Sequence, residues 1–272
     1  QRSKYSFAHR SKMDANAGGH CQDRDMRSMG SGAQAGRGLF ITFEGGDGTG
    51  KSTQIDRVRR WFEERGQQVV VTREPGGTEL GTTLRQLVQN GPDDVDPRTE
   101  ALLYAADRAY HVATLIRPAL ERGEIVLADR YIDSSLAYQG AARSLGVDEI
   151  RSLSMWATES LLPDLTLLID VPPEVAARRR GGEPDRMERE SMEFHERVRH
   201  QYLALADSEA DRIVVIDGVG TEDQVFSEIR GVLEERVDAA FQGLPEEPAE
   251  NAKPVESQAT LWALLDEDGI LL

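Results

Sequence analysis

A short apolar run leads into a glycine-rich turn in the sequence Phe40-Ile41-Thr42-Phe43-Glu44-Gly45-Gly46-Asp47-Gly48-Thr49-Gly50-Lys51-Ser52-Thr53. Gly45, Gly50, Lys51 and Ser52 satisfy the phosphate-loop pattern G-x-x-x-x-G-K-[ST]. Glycine adopts backbone angles that a β-carbon forbids, so successive N–H groups can turn inward around a polyphosphate. The pattern predicts a strand, a phosphate-binding loop and a helix N-terminus, in that order.

The loop supplies the predicted nucleotide contacts. These contacts are expected from Gly45, Gly46, Asp47, Gly48, Thr49, Gly50, Lys51, Ser52 and Thr53. Lys51 can reach the β and γ phosphates, and the Ser52 hydroxyl can ligate magnesium. The alternative is a strand-to-helix turn that binds nothing. The strand before the loop and the helix after it favour the phosphate site.

The spacing of apolar residues after the loop predicts a helix. Ile55, Val58 and Phe62 recur at helical spacing, and Gly66 supplies a stop. Residues 67–72 follow as a β-branched strand. A strand-loop-helix-strand unit implies a parallel sheet covered by helices.

Length, composition and net charge limit the classes of protein to which this chain can belong. A chain of 272 residues can hold one α/β domain of about 200 residues with tails. It has no apolar run of about 18 residues, so no membrane span is expected. A net charge of −16 argues against broad nucleic-acid binding, so a phosphate site needs a local arginine cluster. The single cysteine, Cys21, forms no intrachain disulfide, which favours the cytoplasm.

The two ends differ from the middle of the chain. Residues 1–37 are polar and lack periodicity, which predicts a disordered leader or linker. The chain begins with Gln1, which indicates processing or excision from a longer protein. Residues 242–272 hold a proline- and glutamate-rich linker and a short apolar tail. The predicted folded domain occupies residues 38–241.

Further elements follow from spacing and turn signals. Helices are predicted over 79–90, from Pro97 onward with a kink or restart at Pro118, over 190–206 and over 221–237. Strands are predicted over 124–128, 165–170 and 212–217. Asp129 and Arg130 then fall at the carboxyl end of a strand, where ligands bind in open parallel sheets. At least five parallel strands predict a three-layer α/β/α P-loop kinase fold with a lid segment.

Five motifs together carry a resemblance to a family. They are Gly45 to Thr53, Arg73-Glu74-Pro75-Gly76-Gly77-Thr78, Asp107-Arg108, Asp129-Arg130-Tyr131 with Ser134-Ser135, and Ala137-Tyr138-Gln139-Gly140. Their order resembles that of bacterial thymidylate kinases over residues 38–238. A phosphate loop alone occurs in many NTPases, whereas the ordered set is much more specific.

The resemblance implies phosphorylation of dTMP to dTDP, with ATP and Mg²⁺ as cofactors. The acceptor is already a phosphate anion, so the reaction needs charge neutralisation and alignment rather than a strong base. The resemblance implies that Asp47 contacts the acceptor sugar, although aspartate also forms turns. Arg130 can bind the acceptor phosphate, and Asp129 can orient Arg130 or hydrated magnesium. The alternative for this pair is a surface salt bridge.

The same resemblance implies which residues contact the base and the sugar of the acceptor. Tyr104 would stack on thymine, and Arg108, four residues later on a helix, would bond its carbonyl edge. The family often has phenylalanine at the first position, and Tyr104 could equally belong to the core. Tyr138 and Gln139 would close over the deoxyribose. The remaining predicted substrate residues are Arg73, Glu74 and Ser135.

Three consecutive arginines lie in a segment that resembles the family's lid. Arg178, Arg179 and Arg180 are followed by Gly181 and Gly182. A lid arginine can fold over the transferring phosphoryl group and act as a catalytic residue. Some family members place a catalytic arginine in the phosphate loop, but here that loop has none. The alternative is a solvated basic turn.

The same residues bear on three other functions. A GTPase-like switch needs an N-K-x-D segment, which this sequence lacks. A second alternative is an interaction protein that kept the loop as a relic. The intact residues argue against it: Asp47, Lys51, Ser52 and Arg130. Among enzymes, the alternative is a deoxynucleoside kinase or another nucleoside monophosphate kinase. A homodimer is expected from the family.

The apolar tail comprises residues 258–265. Leu261, Leu264 and Leu265 have helical spacing beside Trp262, and three acids follow at the helix C-terminus, where they oppose the dipole. The segment would therefore dock on its own domain or stay weakly ordered. A third interpretation is a partner-docking peptide. Its Q-x-x-L-aromatic form is similar to the bacterial sliding-clamp-binding peptide.

Overall fold

The computed structural model describes residues 37–92, 94–181 and 184–237. The strands are β1 (Phe40–Glu44), β2 (Val69–Arg73), β3 (Ile125–Asp129), β4 (Leu165–Asp170) and β5 (Ile213–Asp217). The α-helices are α1 (Lys51–Glu63), α2 (Glu79–Asn90), α3 (Pro97–His111), α4 (Arg117–Glu121), α5 (Ile132–Ser135), α6 (Val147–Ala157), α7 (Pro173–Arg179), α8 (Met192–Ser208) and α9 (Glu222–Arg236). Two π-helical segments cover Val112–Ile116 and Leu136–Ala142.

In the described residues the strands form one parallel sheet in the order β2-β3-β1-β4-β5. Phe43 in β1 is opposite Asp129 on one side and Leu167 on the other. The phosphate-loop strand is therefore the central one, and the prediction of five parallel strands is confirmed. Every strand ends on a charged residue: Glu44, Arg73, Asp129, Asp170 and Asp217. These ends share one edge of the sheet because the strands are parallel.

The core lies on both faces of the sheet. Ile41 and Phe43 belong to an apolar cluster with residues of α1 and α9, including Ile55 and Ile229. Phe40, whose side chain points to the opposite face, belongs to a second cluster with residues of α3, α4, α6 and α8. Alternation along the strand thus produces a three-layer α/β/α arrangement, as predicted.

The long helix predicted from Pro97 is interrupted where the sequence suggested. Helix α3 ends at His111, the next turn widens into a π-helical segment, and α4 restarts the α-helical pattern. Pro118 lies in the first turn of α4, where its missing N–H costs no intrahelical bond. The second π-helical segment carries Tyr138 and Gln139. Its register could not be predicted from sequence, and such segments often occur at functional sites.

Other boundaries shift by one or two residues. Strand β2 covers Val69–Arg73 rather than 67–72. Helix α8 begins at Met192 because Ser191 caps it, with the Ser191 hydroxyl accepting a hydrogen bond from the Phe194 N–H at 3.2 Å. Helix α2 has its predicted bounds.

Several sequence predictions lie outside the described residues. They concern Cys21, most of the leader over 1–37, the linker and apolar tail over 242–272, and Gly182 in the lid segment. Among the residues that the structure does describe, no helix is long and apolar enough to cross a membrane.

Candidate active site

The phosphate loop connects β1 to α1 with backbone angles that favour glycine. Gly45 has φ 132° and Gly48 has φ 85°. A β-carbon at Gly45 would lie 2.5 Å from the Ile169 carbonyl oxygen, and one at Gly48 would lie 2.4 Å from that of Ala176. The loop therefore packs against β4 and α7 in a way that only glycine permits. Gly50 caps α1 without a side chain, which leaves the first helical N–H groups facing the loop.

Lys51 is buried beneath this loop. Its Nζ donates hydrogen bonds to the carbonyl oxygens of Gly45 at 3.2 Å and Gly46 at 2.8 Å. Nζ also lies 3.9 Å from Asp129 Oδ1. Burial lowers the pKa of Lys51, as does the charge of Arg130. The lysine thus crosses the loop from the first helical turn and places its ammonium beside the end of β3.

A cavity of about 720 Å³ opens over the loop, and we call it the loop cavity. Its lining includes residues 47–54 of the loop and α1. Arg73, Asp129 and Arg130 line it from the ends of β2 and β3, and Arg179 lines it from α7. Its basic groups and loop amides are suited to a polyphosphate.

A hard cation fits one edge of this cavity. Asp129 Oδ1 is buried with no hydrogen-bond partner, and Ser52 lies in the same cavity with its side chain exposed. The described residues contain no cluster of three or more His, Cys, Asp or Glu side chains able to hold a metal. Mg²⁺ is commonly held by one or two carboxylates together with nucleotide phosphates, so the donor set suits Mg²⁺.

A second cavity, the inner cavity, is lined by Asp47 of the phosphate loop, by the residues that follow β2 and β3, and by helices α2 and α3. The predicted substrate residues that line it are Glu74, Tyr104, Arg108, Arg130, Ser135, Tyr138 and Gln139. Four residues line both cavities: Asp47, Glu74, Arg85 and Arg130. The two cavities therefore meet at a boundary that contains two arginines.

Arg130 lies at that boundary in a left-handed conformation, with φ 72°. Its Nη2 donates to Asp47 Oδ1 at 2.6 Å, and its Nη1 donates to the Gly45 carbonyl at 3.0 Å. Burial raises the pKa of Asp47, but the charges of Arg130 and Lys51 outweigh burial and hold it well below its usual range. Asp47 is therefore ionised at neutral pH.

Arg108 is 2% exposed and is fixed by hydrogen bonds to four residues. Its Nε donates to Glu74 Oε2 at 2.7 Å, and its Nη1 donates to Ser154 Oγ at 3.2 Å. Its Nη2 donates to the Tyr131 carbonyl and to Ser135 Oγ, both at 3.0 Å. Of the predicted substrate residues, Glu74 and Ser135 thus contact Arg108 directly.

Glu74 continues this network away from the cavity. Its Oε1 lies 2.9 Å from His111 Nδ1, and His111 Nε2 lies 2.6 Å from Thr72 Oγ1. The Glu74–Pro75 peptide is cis. Pro75 turns the chain at the end of β2, and Glu74 is buried rather than exposed on a loop. Its position supports a role in holding Arg108.

Tyr138 and Gln139 face different neighbours. The Tyr138 hydroxyl donates to Asp47 Oδ2 at 3.3 Å, which turns the ring toward the boundary. Gln139 Nε2 donates to Glu100 Oε1 at 2.9 Å, and Glu100 is fully buried. The Glu100 carboxylate also accepts from Arg143 and Arg186. Gln139 is thereby linked through Glu100 to Arg186 in the lid segment.

The three lid arginines occupy different environments. Arg179 donates to the carbonyls of Gly218 at 2.7 Å and Val219 at 2.9 Å beside the loop cavity. Arg180 lines a small cavity behind the phosphate loop, together with His195 and other residues. Arg178 is exposed and lines neither this small cavity nor the loop cavity. The triplet therefore does not converge on one point.

Comparison with known proteins adds to this geometry. The thymidylate kinase family profile matches residues 43–229. The chain belongs to the thymidylate kinase family. The thymidylate kinase of Leifsonia xyli subsp. xyli (strain CTCB07) is 56% identical over 203 residues, covering 74% of this chain and 96% of the relative. That of Carboxydothermus hydrogenoformans (strain ATCC BAA-161 / DSM 6008 / Z-2901) is 49% identical over 200 residues, covering 73% and 98%. The family predicted from the ordered motifs is confirmed.

Several residues of this thymidylate kinase site were not predicted. Glu44 is fully buried at the end of β1, and a carboxylate inside an apolar strand was a signal that could have found it. Tyr202 on α8 contacts both Glu44 and Arg130. Arg85 on α2 reaches the boundary between the cavities, but its helical spacing resembles that of any surface arginine.

Proposed function

We propose that this chain transfers the γ-phosphoryl group of ATP to dTMP, giving ADP and dTDP. The proposal rests on the boundary that the loop cavity and the inner cavity share at Arg130 and Arg85. A donor phosphate held by the loop and an acceptor phosphate entering from the inner cavity would meet there. Membership of the thymidylate kinase family identifies the acceptor.

The loop cavity would hold the donor. Loop amides and Lys51 would bind the β and γ phosphates, and Gly218, Gly220, Thr221 and Glu222 also line the cavity. Ser52 and Asp129 would hold Mg²⁺, which would offset the negative charge of the donor phosphates. Arg179 supports the 218–219 backbone through its two hydrogen bonds.

The acceptor phosphate needs cations rather than a base. A phosphate monoester carries its own nucleophilic oxygen, so alignment and charge neutralisation limit the rate. Arg130 presents a guanidinium fork at the boundary, and Arg73 and Arg85 add positive charge from β2 and α2. The catalytic residues are proposed to be Asp47, Lys51, Arg130 and the lid arginines 178–180.

The inner cavity would hold the nucleoside. Tyr104 lines this cavity, and its aromatic ring would stack on thymine. Arg108, held by Glu74 and Ser135, would donate to the carbonyl edge of thymine. Asp47 and Tyr138 would contact the deoxyribose, and Gln139 would close the far side.

A nucleotide panel tests this function. The purified chain is assayed with ATP and Mg²⁺ against dTMP, dUMP, dCMP, UMP and thymidine. We expect dTMP to have the highest kcat/KM. A nucleoside acceptor that outperforms dTMP would instead identify a deoxynucleoside kinase.

We also propose a homodimer formed through helices α3 and α6, which contact each other. Leu102 on α3 is 57% exposed and Trp156 on α6 is 81% exposed, which are large values for apolar side chains. Tyr110 adds a further exposed ring on α3. Trp156→Glu should shift sedimentation toward the monomer. An unchanged dimer in this variant would place the interface elsewhere.

The domain boundaries and location are proposals as well. Residues 38–241 are proposed as the kinase domain, with 1–37 as a leader and 242–272 as a linker with a partner-docking tail. The extent of the family match, residues 43–229, supports these limits. Truncation after Gln242 should keep dTMP phosphorylation and lose partner capture; loss of activity would show that the tail completes the domain. The single Cys21 supports a cytoplasmic location.

A further inference from the structure

Glu44 lies at the end of β1 and is fully buried directly behind the boundary of the two cavities. Its Oε1 accepts the N–H of Tyr131 at 2.8 Å. Its Oε2 lies 2.6 Å from Ser134 Oγ and 2.9 Å from the Tyr202 hydroxyl. A buried carboxylate with this many partners is costly unless each hydrogen bond is made.

The same two hydroxyls also contact Arg130. Its Nη1 lies 3.2 Å from Ser134 Oγ and 3.3 Å from the Tyr202 oxygen. A guanidinium can only donate, so the two hydroxyl oxygens share the Nη1 protons as acceptors with the Gly45 carbonyl. Their own protons must then point elsewhere. Ser134 Oγ and the Tyr202 oxygen also lie 2.8 Å apart, so one hydroxyl can donate to the other, and the ionised Glu44 carboxylate accepts the proton that remains.

Glu44 also holds the backbone at Arg130. Arg130 has φ 72°, a conformation that is unfavourable for a residue with a β-carbon. The Arg130 N–H donates to the Phe43 carbonyl at 3.0 Å, and the next N–H, that of Tyr131, donates to Glu44. The left-handed turn that aims Arg130 into the boundary is thus fixed from β1 on both sides.

We propose that Glu44 is a positioning residue for Arg130, because as a carboxylate it turns the Ser134 and Tyr202 hydroxyls so that both accept hydrogen bonds from the guanidinium. Glu44 itself lines neither cavity. A protonated or amide side chain at this position would donate to one of these hydroxyls. A hydroxyl proton would then point at Arg130 and displace it from the boundary. The inference rests on the proposed role of Arg130 in binding the acceptor phosphate.

The charges around Glu44 make this role sensitive to pH. Burial and the charge of Asp133 raise the pKa of Glu44 to about 7, against the hydrogen bonds from Ser134 and Tyr202 and the charge of Arg130. Asp133 is itself paired with Arg212 at 2.8 Å, and Lys51 faces Glu44 from α1. The carboxylate form is lost as the pH falls through about 7, so Arg130 would lose its alignment on the acid side.

The sharpest test of the proposal compares the same substitution in two backgrounds. Glu44→Gln should lower kcat/KM for dTMP about 100-fold at pH 8, the scale of one lost electrostatic contact, with KM for ATP changed less than about twofold. If Glu44 acts through the two hydroxyls, the same substitution should cost less than about threefold in a Ser134→Ala, Tyr202→Phe background. An equal loss in both backgrounds would overturn the proposal.

A matched control and a second readout accompany these variants. Glu124→Gln removes a carboxylate that is paired with Arg122 at the opposite end of β3, and should leave dTMP kinetics unchanged. If Glu44→Gln does not fold, the dependence of kcat/KM on pH in Tyr202→Phe tests the proposal instead. Loss of one hydrogen bond to the carboxylate raises the pKa of Glu44, so the acid limb of kcat/KM should move to higher pH. An unmoved limb overturns the proposal, whereas a wild-type chain inactive on dTMP overturns the proposed function instead.

Discussion

Glu74 accepts a hydrogen bond from Arg108 at 2.7 Å between Oε2 and Nε, and both side chains are 2% exposed. The contact joins the end of β2 to helix α3 beneath the inner cavity. Charges this deeply buried are stable only when paired. The pair therefore determines both the stability of this region and the direction of the Arg108 guanidinium.

Glu74→Gln should destabilise the fold by about 3 kcal/mol, because it leaves the buried Arg108 charge without a carboxylate. It should also raise KM for dTMP, since Arg108 loses its fixed orientation. Urea unfolding and steady-state kinetics measure the two effects. Glu159→Gln is the control, since Glu159 is 85% exposed in its pair with Arg117 and should change stability by less than about 0.5 kcal/mol. Equal effects of the two substitutions would contradict this role for Glu74.

Lys51→Ala should lower turnover of dTMP by at least about 100-fold, as expected for loss of one transition-state charge contact. Lys51 crosses beneath the loop and is the only lysine in it. Circular dichroism establishes that the variant is folded before its rate is compared. A near-wild-type rate in a folded variant would remove Lys51 from the catalytic group.

Replacing Arg178, Arg179 and Arg180 together by alanine should slow the chemical step more than it weakens ATP binding, because a lid contact made late favours the transition state. Single-turnover rates at saturating ATP separate the two effects. Among the single variants, Arg178→Ala should have the smallest effect, since Arg178 is exposed and lines neither the loop cavity nor the small cavity. Lost ATP affinity with unchanged chemistry would identify the arginines as binding groups.

Asp107 should make stability depend on pH. Burial, aided by the charge of Glu74, raises the pKa of Asp107 to about 6, and its Oδ2 has no hydrogen-bond partner. The native state then holds this proton more tightly than the unfolded chain does, so stability falls as the pH rises from about 4 to about 6. Asp107→Asn should remove that loss and gain on the order of 2 kcal/mol at pH 8, with little gain below pH 4. A gain that is the same at both pH values would assign the effect to packing.

The order of the elements could be predicted from the sequence because each signal is local. Glycines mark the phosphate loop, apolar runs mark β1 and β4, and Pro97 opens α3. The same signals placed Asp129 and Arg130 at a strand end. These features depend on neighbours in the chain and not on distant contacts.

The orientation of the site residues could not be predicted in this way. Gln139 points to Glu100, and the side-chain partners of Glu74, which are Arg108 and His111, both lie on α3, at sequence separations that no local pattern encodes. The π-helical turn at Leu136–Ala142 also changes which side chains face the cavity. The lid arginines diverge because α7 ends at Arg179, which contacts the Gly218 carbonyl, whereas Arg180 leaves the helix and lines the small cavity.

The most direct test of the function compares dTMP with thymidine as acceptors for the purified chain with ATP and Mg²⁺. The two acceptors differ only in the 5′-phosphate that the boundary arginines would bind. We predict rapid formation of dTDP from dTMP and no detectable phosphorylation of thymidine. Faster turnover of thymidine than of dTMP would contradict the proposed function and the assignment of Arg130 to the acceptor phosphate.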